Sequence, residues 1–375
     1  MAAVRSYLDH NATSPLRPEA RDAMLAALDA GGNASSVHGE GRAARSLVDE
    51  ARETIAGALG CLPDMTVFTA SGTEANNMAL KGAGALGVRR LVVSAVEHAS
   101  VLETAAATGL PVEIAPVTGD GRIDLEALDA LLGEVDGPAL VSVMVANNET
   151  GALMPVAEVS EIARRHGAYV HSDAVQALGK MPLRWAQLGV DMMSLSAHKL
   201  GGPQGAGALI LREGLSLEPL LHGGGQELKR RAGTENVAGI AGFAAAVRAA
   251  DEWARVEALR DRLDVELKAA APHATIFAEA GPRLANTTCF ALPGLEADTA
   301  LMAFDLAGIA VSSGSACSSG KVSRSHVLGA MGVAPELVAG GIRVSLGWNS
   351  TVADVERFAA AWSQIVARFQ DRAAA

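Results

Sequence analysis

Near the C-terminal end stands "SSGSACSSG", Ser312 to Gly320, where one thiol, Cys317, sits among small polar residues. A packing cysteine needs branched apolar neighbours. This one has none, and a thiol held free to ionise is a nucleophile. A second stretch able to do chemistry is "SLSAHKLGGPQGAG", Ser194 to Gly207, in which Lys199 follows an apolar run and precedes a glycine-rich turn. An amine held against a sheet edge loses proton affinity and condenses with aldehydes as a Schiff base. Ser196 and His198 flank it as hydrogen-bonding groups. An isolated loop lysine is ordinarily a solvated one, but the neighbours of Lys199 argue for a site.

Upstream lies "VHSDAVQALGK", with Asp173 closing a strand-like run and Gln176 one helical turn beyond. Such an aspartate is either a helix cap or a buried carboxylate facing a cationic ring nitrogen, as pyridoxal phosphate requires. In "FTASGTEANNMALKG", Thr69 to Thr73 form a Ser/Gly/Thr turn that opens a helix. The exposed N–H groups and dipole of a helix start favour a dianionic phosphate. His98, in "SAVEHAS", and Asn148, in "VANNETG", each follow an apolar run. The first is suited to stacking on a ring and moving protons, the second to bonding a ring hydroxyl. Arg343, in "IRVSLGW", lies inside an apolar segment, an unusual place for a surface ion pair.

These residues need a scaffold that brings strand ends together. "TVFTA", "LVVSAV", "LVSVMVANNETG", "AYVHSDAVQ", "DMMSLSAHK" and "GALIL" read as short strands, most separated by helical stretches or glycine turns. "AARSLVDEARETIAGALG" places Leu47, Ala51, Ile55 and Ala58 at helical spacing and stops at Gly60, a C-cap signal. Wholly apolar strands alternating with helices predict an α/β fold with a mostly parallel sheet buried on both faces. Ligands bind at the C-terminal edge of such sheets. A long Ala-rich helix is predicted over residues 237–271. Beyond it, "ANTTCFAL" and "IAVSSGSA" read as strands, and "VADVERFAAAWSQIVARF" as a closing amphipathic helix with Val355, Phe358, Trp362, Ile365 and Phe369 inward. The expected division is a large domain over 15–258 and a smaller α+β domain made of 1–14 and 259–375.

Composition narrows the setting. The 375 residues suffice for a large core and an appended smaller unit. The chain is 49% hydrophobic but only 3% aromatic, so Ala, Val, Leu and Ile must build most of that core. A net charge of −11 argues against nucleic acid or anionic membrane as partner. No apolar run approaches the ~20 residues that cross a bilayer, and "MAAVRSYLDHNATSP" lacks the apolar core of a secretory signal. Three cysteines are too few for a disulfide framework and have no metal-ligand spacing. A reducing, cytoplasmic setting without a resident metal is expected, with Cys61 and Cys289 as packing residues.

The set "YLDHNATSP", "FTASGTEANN", "VEHAS", "NNETG", "HSDAVQ", "SAHKLGGPQGAG", "RAGTENVAG", "SSGSACSSG" and "IRVSLGW" resembles the cysteine desulfurases of the NifS/IscS type, over nearly the whole chain and in order. The resemblance implies the aspartate aminotransferase fold of pyridoxal-phosphate enzymes (fold type I), with a seven-stranded sheet. It implies Lys199 as the Schiff-base lysine that also moves the substrate Cα proton, and Asp173 as partner of the pyridinium. Gln176 and Asn148 would hold the ring hydroxyl; Gly72, Thr73, Ser196 and His198 would hold the phosphate. Thr234 would reach the phosphate bound in the other subunit of a homodimer, and His98 would stack on the ring as acid/base. Arg343, with Asn11 and Asn148, would bind the substrate L-cysteine, and Cys317 would take its sulfur as a persulfide, releasing alanine. The implied acceptor is an iron–sulfur scaffold protein, and Cys317 is implied as a transient ligand of the cluster. A transaminase or a selenocysteine lyase would share the fold; the first needs no mobile cysteine. Leu228 and Lys229 stand after Gln-Glu where the family usually carries Arg-Gly.

Overall fold

The computed structural model describes residues 5–134, 137–314 and 324–374. Among these lie twelve strands: β1 (Ser6–Tyr7), β2 (Thr66–Thr69), β3 (Arg90–Ser94), β4 (Val112–Ala115), β5 (Ala139–Ser142), β6 (Tyr169–Asp173), β7 (Met192–Ser196), β8 (Gly207–Leu211), β9 (Thr275–Ile276), β10 (Thr287–Ala291), β11 (Ile309–Ala310) and β12 (Ile342–Ser345). Seven form one sheet in the order β2-β8-β7-β6-β5-β3-β4. All neighbours run parallel except β8, which is antiparallel to β2 and β7. Every residue of β2, β3, β5, β7 and β8 is buried, as a sheet covered on both faces demands. The helix Gly39–Leu59 packs Val48, Ala51, Ile55 and Leu59 into the main core and ends at Gly60, whose φ of 71° suits a residue without Cβ.

The later part of the chain builds a second core around the antiparallel sheet β12-β10-β9. Phe290, Phe304, Phe358, Trp362 and Phe369 pack there. Phe304 stacks on Phe358 at 5.2 Å and Phe290 meets Trp362 edge-on at 5.1 Å, arrangements that the ring quadrupole favours. The N-terminal stretch joins this part: β1 pairs parallel with β11, and Leu8 is buried in the same cluster.

Two expectations need correction. The predicted helix over 237–271 is two helices, Val237–Ala249 and Trp253–Ala270. Arg17 forms an ion pair with Glu252 and donates to the Ala249 carbonyl at 3.1 Å, so a tertiary contact ends the first helix. The strand read from "IAVSSGSA" is only Ile309–Ala310; Ser312 then pairs with the backbone of Arg343 through an isolated bridge.

Candidate active site

The parallel strands end on a cavity of ≈ 300 Å³. Asp173 closes β6 and Ser196 closes β7, while His198 and Lys199 occupy the single 3-10 turn that follows. Lys199, Asp173, His98, Asn148, Gln176 and Arg343 all line this space, together with Asn11, Gly72, Thr73, Ser196 and His198. Two predicted residues are not among them. Thr234 is exposed and lies outside the cavity. Cys317 lies outside the described residues.

The chain provides the polar surroundings of each group. Lys199 donates from Nζ to the carbonyls of Asn11 at 2.8 Å and Ala12 at 2.7 Å. Asp173 caps no helix: Oδ1 accepts from the Val175 amide at 2.9 Å and Oδ2 from Asn76 Nδ2 at 2.8 Å. His98 opens the helix Ala99–Ala106, and its Nδ1 accepts from the Ser100 amide at 3.0 Å. That bond assigns the proton of the neutral ring to Nε2. His198 is pushed down to about 4, by burial first and then by the charges of Lys199 and Lys180, so it is neutral at pH 7.

Arg343 is 3% exposed, and its NH2 group makes an ion pair of 2.7 Å with Asp9. Its NH1 group donates to the Asn148 carbonyl at 2.9 Å, while Nε is buried without a partner in the described residues. The arginine is thus held from behind, with two of its five N–H donors spent and Nε among the other three. Asn11 is already engaged: Nδ2 donates to Thr287 at 2.9 Å and to the Asn148 carbonyl at 3.3 Å, and Oδ1 accepts from Lys180 and Asn286.

Sequence reasoning missed the supporting shell. Asn76 bridges Asp173 to Ser100, and Ser100 Oγ lies 2.8 Å from His98 Nδ1. Glu97 is fully buried behind His98, with Oε1 accepting from the Met144 amide at 2.7 Å. Burial, and then the nearby Asp173, push its carboxyl far above the usual range. The missed signal was adjacency, since Asn76 and Glu97 stand in the quoted "GTEANN" and "VEHAS". Glu149, next to Asn148, touches both flanks of segment 315–323. Ser325 Oγ donates to its Oε2 at 2.5 Å, and a Cβ on Gly314 would fall 2.5 Å from the same atom.

Comparison with known proteins finds the pattern described as aminotransferase class-V matching residues 6–358. The chain belongs to the class-V aminotransferase family. It is 43% identical to the IscS-like cysteine desulfurase of Mycobacterium tuberculosis over 94% of this chain and 93% of that one. The solved NifS-like protein of Rickettsia africae superposes with a TM-score of 0.89 at 36% identity, covering 96% of this chain and 99% of the other. SspA, solved in complex with cysteine, superposes with a TM-score of 0.80 at 29% identity, covering 91% and 98%.

Class-V family members are pyridoxal-phosphate enzymes, and the residues here fit that group. Ser196 Oγ is buried at the cavity without a partner in the described residues, a hydroxyl waiting for an acceptor. Gly72 opens the 11-residue helix Gly72–Gly82, and a Cβ there would lie 2.6 Å from Val175 Cγ2. The turn therefore needs glycine; Ser71 Oγ caps the Glu74 amide, which leaves those of Gly72 and Thr73 for an anion. No helix in the described residues is long and apolar enough to cross a membrane.

Proposed function

We infer that this protein is a pyridoxal-phosphate-dependent cysteine desulfurase, which converts L-cysteine to L-alanine and leaves the sulfur as a persulfide on Cys317. The atoms balance: one thiol and L-cysteine give one persulfide and L-alanine. The observation that carries the reading is the convergence of Lys199, Asp173 and Arg343 on one cavity at the strand ends. The similarity to cysteine desulfurases supports the same conclusion.

When bound, pyridoxal phosphate supplies an aldehyde for amines and a ring that withdraws electrons from the substrate carbons. Ser196, His198, Gly72 and Thr73 would hold its phosphate, Asp173 its ring nitrogen, and Asn148 and Gln176 its hydroxyl. Lys199 would hold the aldehyde and, as a free amine, would take the Cα proton of the substrate. Arg343 would grip the substrate carboxylate as a bidentate fork while Asp9 braces its NH2 group; Asn11 orients the carbonyl of Asn148 beside it. With Nδ1 taken by the Ser100 amide, His98 would act as acid/base through Nε2.

Cys317 must reach this cavity. Glu149, beside the cavity-lining Asn148, bonds Ser325 and lies close against Gly314, which supports such an approach from both flanks. On this reading the chain divides into a large domain over 15–258 and a small one over 1–14 and 259–375. It works as a homodimer in the cytoplasm, each Thr234 reaching the phosphate of the other subunit. The persulfide passes to an iron–sulfur scaffold protein.

The test is Cys317→Ser, assayed for sulfide and alanine from L-cysteine. The variant should keep the visible absorption of bound cofactor and lose sulfide release. Undiminished sulfide release would refute the thiol's role, and activity retained only on selenocysteine would point to a lyase.

A further inference from the structure

Behind the cavity lies a second lysine that the reaction scheme leaves idle. Lys180 is 6% exposed, and its Nζ donates to Gln176 Oε1 at 2.5 Å and Asn11 Oδ1 at 2.7 Å. No carboxylate pairs with it among the described residues. These two acceptors take two of the amine's N–H bonds. Burial, and then the charges of Lys199 and Arg343, push its pKa well below the ordinary lysine range.

The two acceptors are chosen by position. Gln176 Nε2 donates to the Asn11 carbonyl at 3.0 Å, and Lys199 Nζ donates to that same carbonyl at 2.8 Å. The Asn11 side chain in turn holds the Asn148 carbonyl, to which Arg343 also donates. One buried amine therefore ties the two residues that border Lys199 and Asn148.

We propose that Lys180 is a positioning residue for the desulfurase reaction, fixing Asn11 and Gln176 and, through them, the amine of Lys199. It rests on the reading of Lys199 as the cofactor lysine. Loss of two hydrogen bonds at the site is expected to slow turnover about tenfold or more.

The experiment compares wild type, Lys180→Met, Lys180→Gln, Gln176→Met and the Lys180→Met/Gln176→Met pair as purified holoenzymes. Two readouts accompany kcat and KM: the visible circular dichroism of bound cofactor, and the fraction of Lys199 captured by borohydride, from peptide mass spectrometry. Lys180→Met should lower kcat with KM for L-cysteine little changed, alter the visible dichroism and reduce capture. Lys180→Gln, which keeps a donor, should recover part of each and serves alone if the methionine variant does not fold. The paired variant should be no slower than the slower single one, because both changes break one linkage. Additive losses, or a Lys180 variant with unchanged dichroism and kcat, overturn the proposal. Failure to capture Lys199 in wild type would instead refute the underlying assignment.

Discussion

Asn76 and Asp173, separated by 97 positions in the chain, share a buried hydrogen bond of 2.8 Å. It joins the helix Gly72–Gly82, whose start lines the cavity, to the end of β6. The carboxylate proposed to pair with the cofactor ring is thereby oriented by the same helix that would receive the phosphate. Asn76→Leu removes a bond to an ionised acceptor, worth about 1.5–3 kcal/mol, so turnover should fall about 10- to 100-fold. The accompanying sign is a shift in the visible band of bound cofactor during titration with pH. Normal kcat and an unmoved band would show that Asp173 needs no such partner.

Arg343 offers a second check. The guanidinium is braced by Asp9 and the Asn148 carbonyl, which leaves its other N–H donors for the substrate. Lysine keeps the charge but not the planar fork. Arg343→Lys should raise KM for L-cysteine by about 10- to 100-fold, from loss of a charge-assisted bond, and leave cofactor absorption unchanged. An unaltered KM would mean that the carboxylate is bound elsewhere.

Stability should depend on pH through buried imidazoles. His171 is fully buried between Ser142 Oγ at 2.8 Å and Ser194 Oγ at 2.9 Å, and burial pushes it from 6.5 down to about 3. An unfolded imidazole binds its proton as pH falls below 6.5, while the folded one does not until about 3. Its contribution is therefore whole above 6.5 and lost as pH falls from there toward 3, at up to ~1.4 kcal/mol per pH unit. Glu97, raised by burial, acts in the opposite sense above 4.5, where an unfolded carboxyl ionises and the folded one does not. Urea melts between pH 6.5 and 4.5 should thus show a shallower loss for His171→Gln than for wild type. Equal slopes would remove His171 from the account.

Much of the site was legible because a doubly covered parallel sheet writes its strands as unbroken apolar runs, and chemistry collects where they stop. Asp173, Ser196, His98 and Asn148 were found that way. The strand β4 was not, since its Val112, Glu113 and Ile114 are only partly buried or exposed at the sheet edge. The break between residues 249 and 253 was hidden because Arg17, far away in sequence, causes it. The left-handed run Glu227, Leu228 and Lys229 carries no glycine to announce it. It is imposed by Glu227, buried on Arg52 at 2.9 Å and on the Phe68 amide at 2.8 Å. Lys180 and Asn76 escaped notice for a similar reason: their importance lies in what they hold.

The other two thiols make the central claim sharp. Burial raises Cys61 to about 11 and drives Cys289 higher still, so neither offers much thiolate near neutrality. The most direct measurement is peptide mass spectrometry of the holoenzyme after brief exposure to L-cysteine. One extra sulfur atom should appear on the peptide carrying Cys317, and none on those carrying Cys61 or Cys289. Sulfur found only on Cys61 or Cys289, with Cys317 unmodified during turnover, would contradict the account.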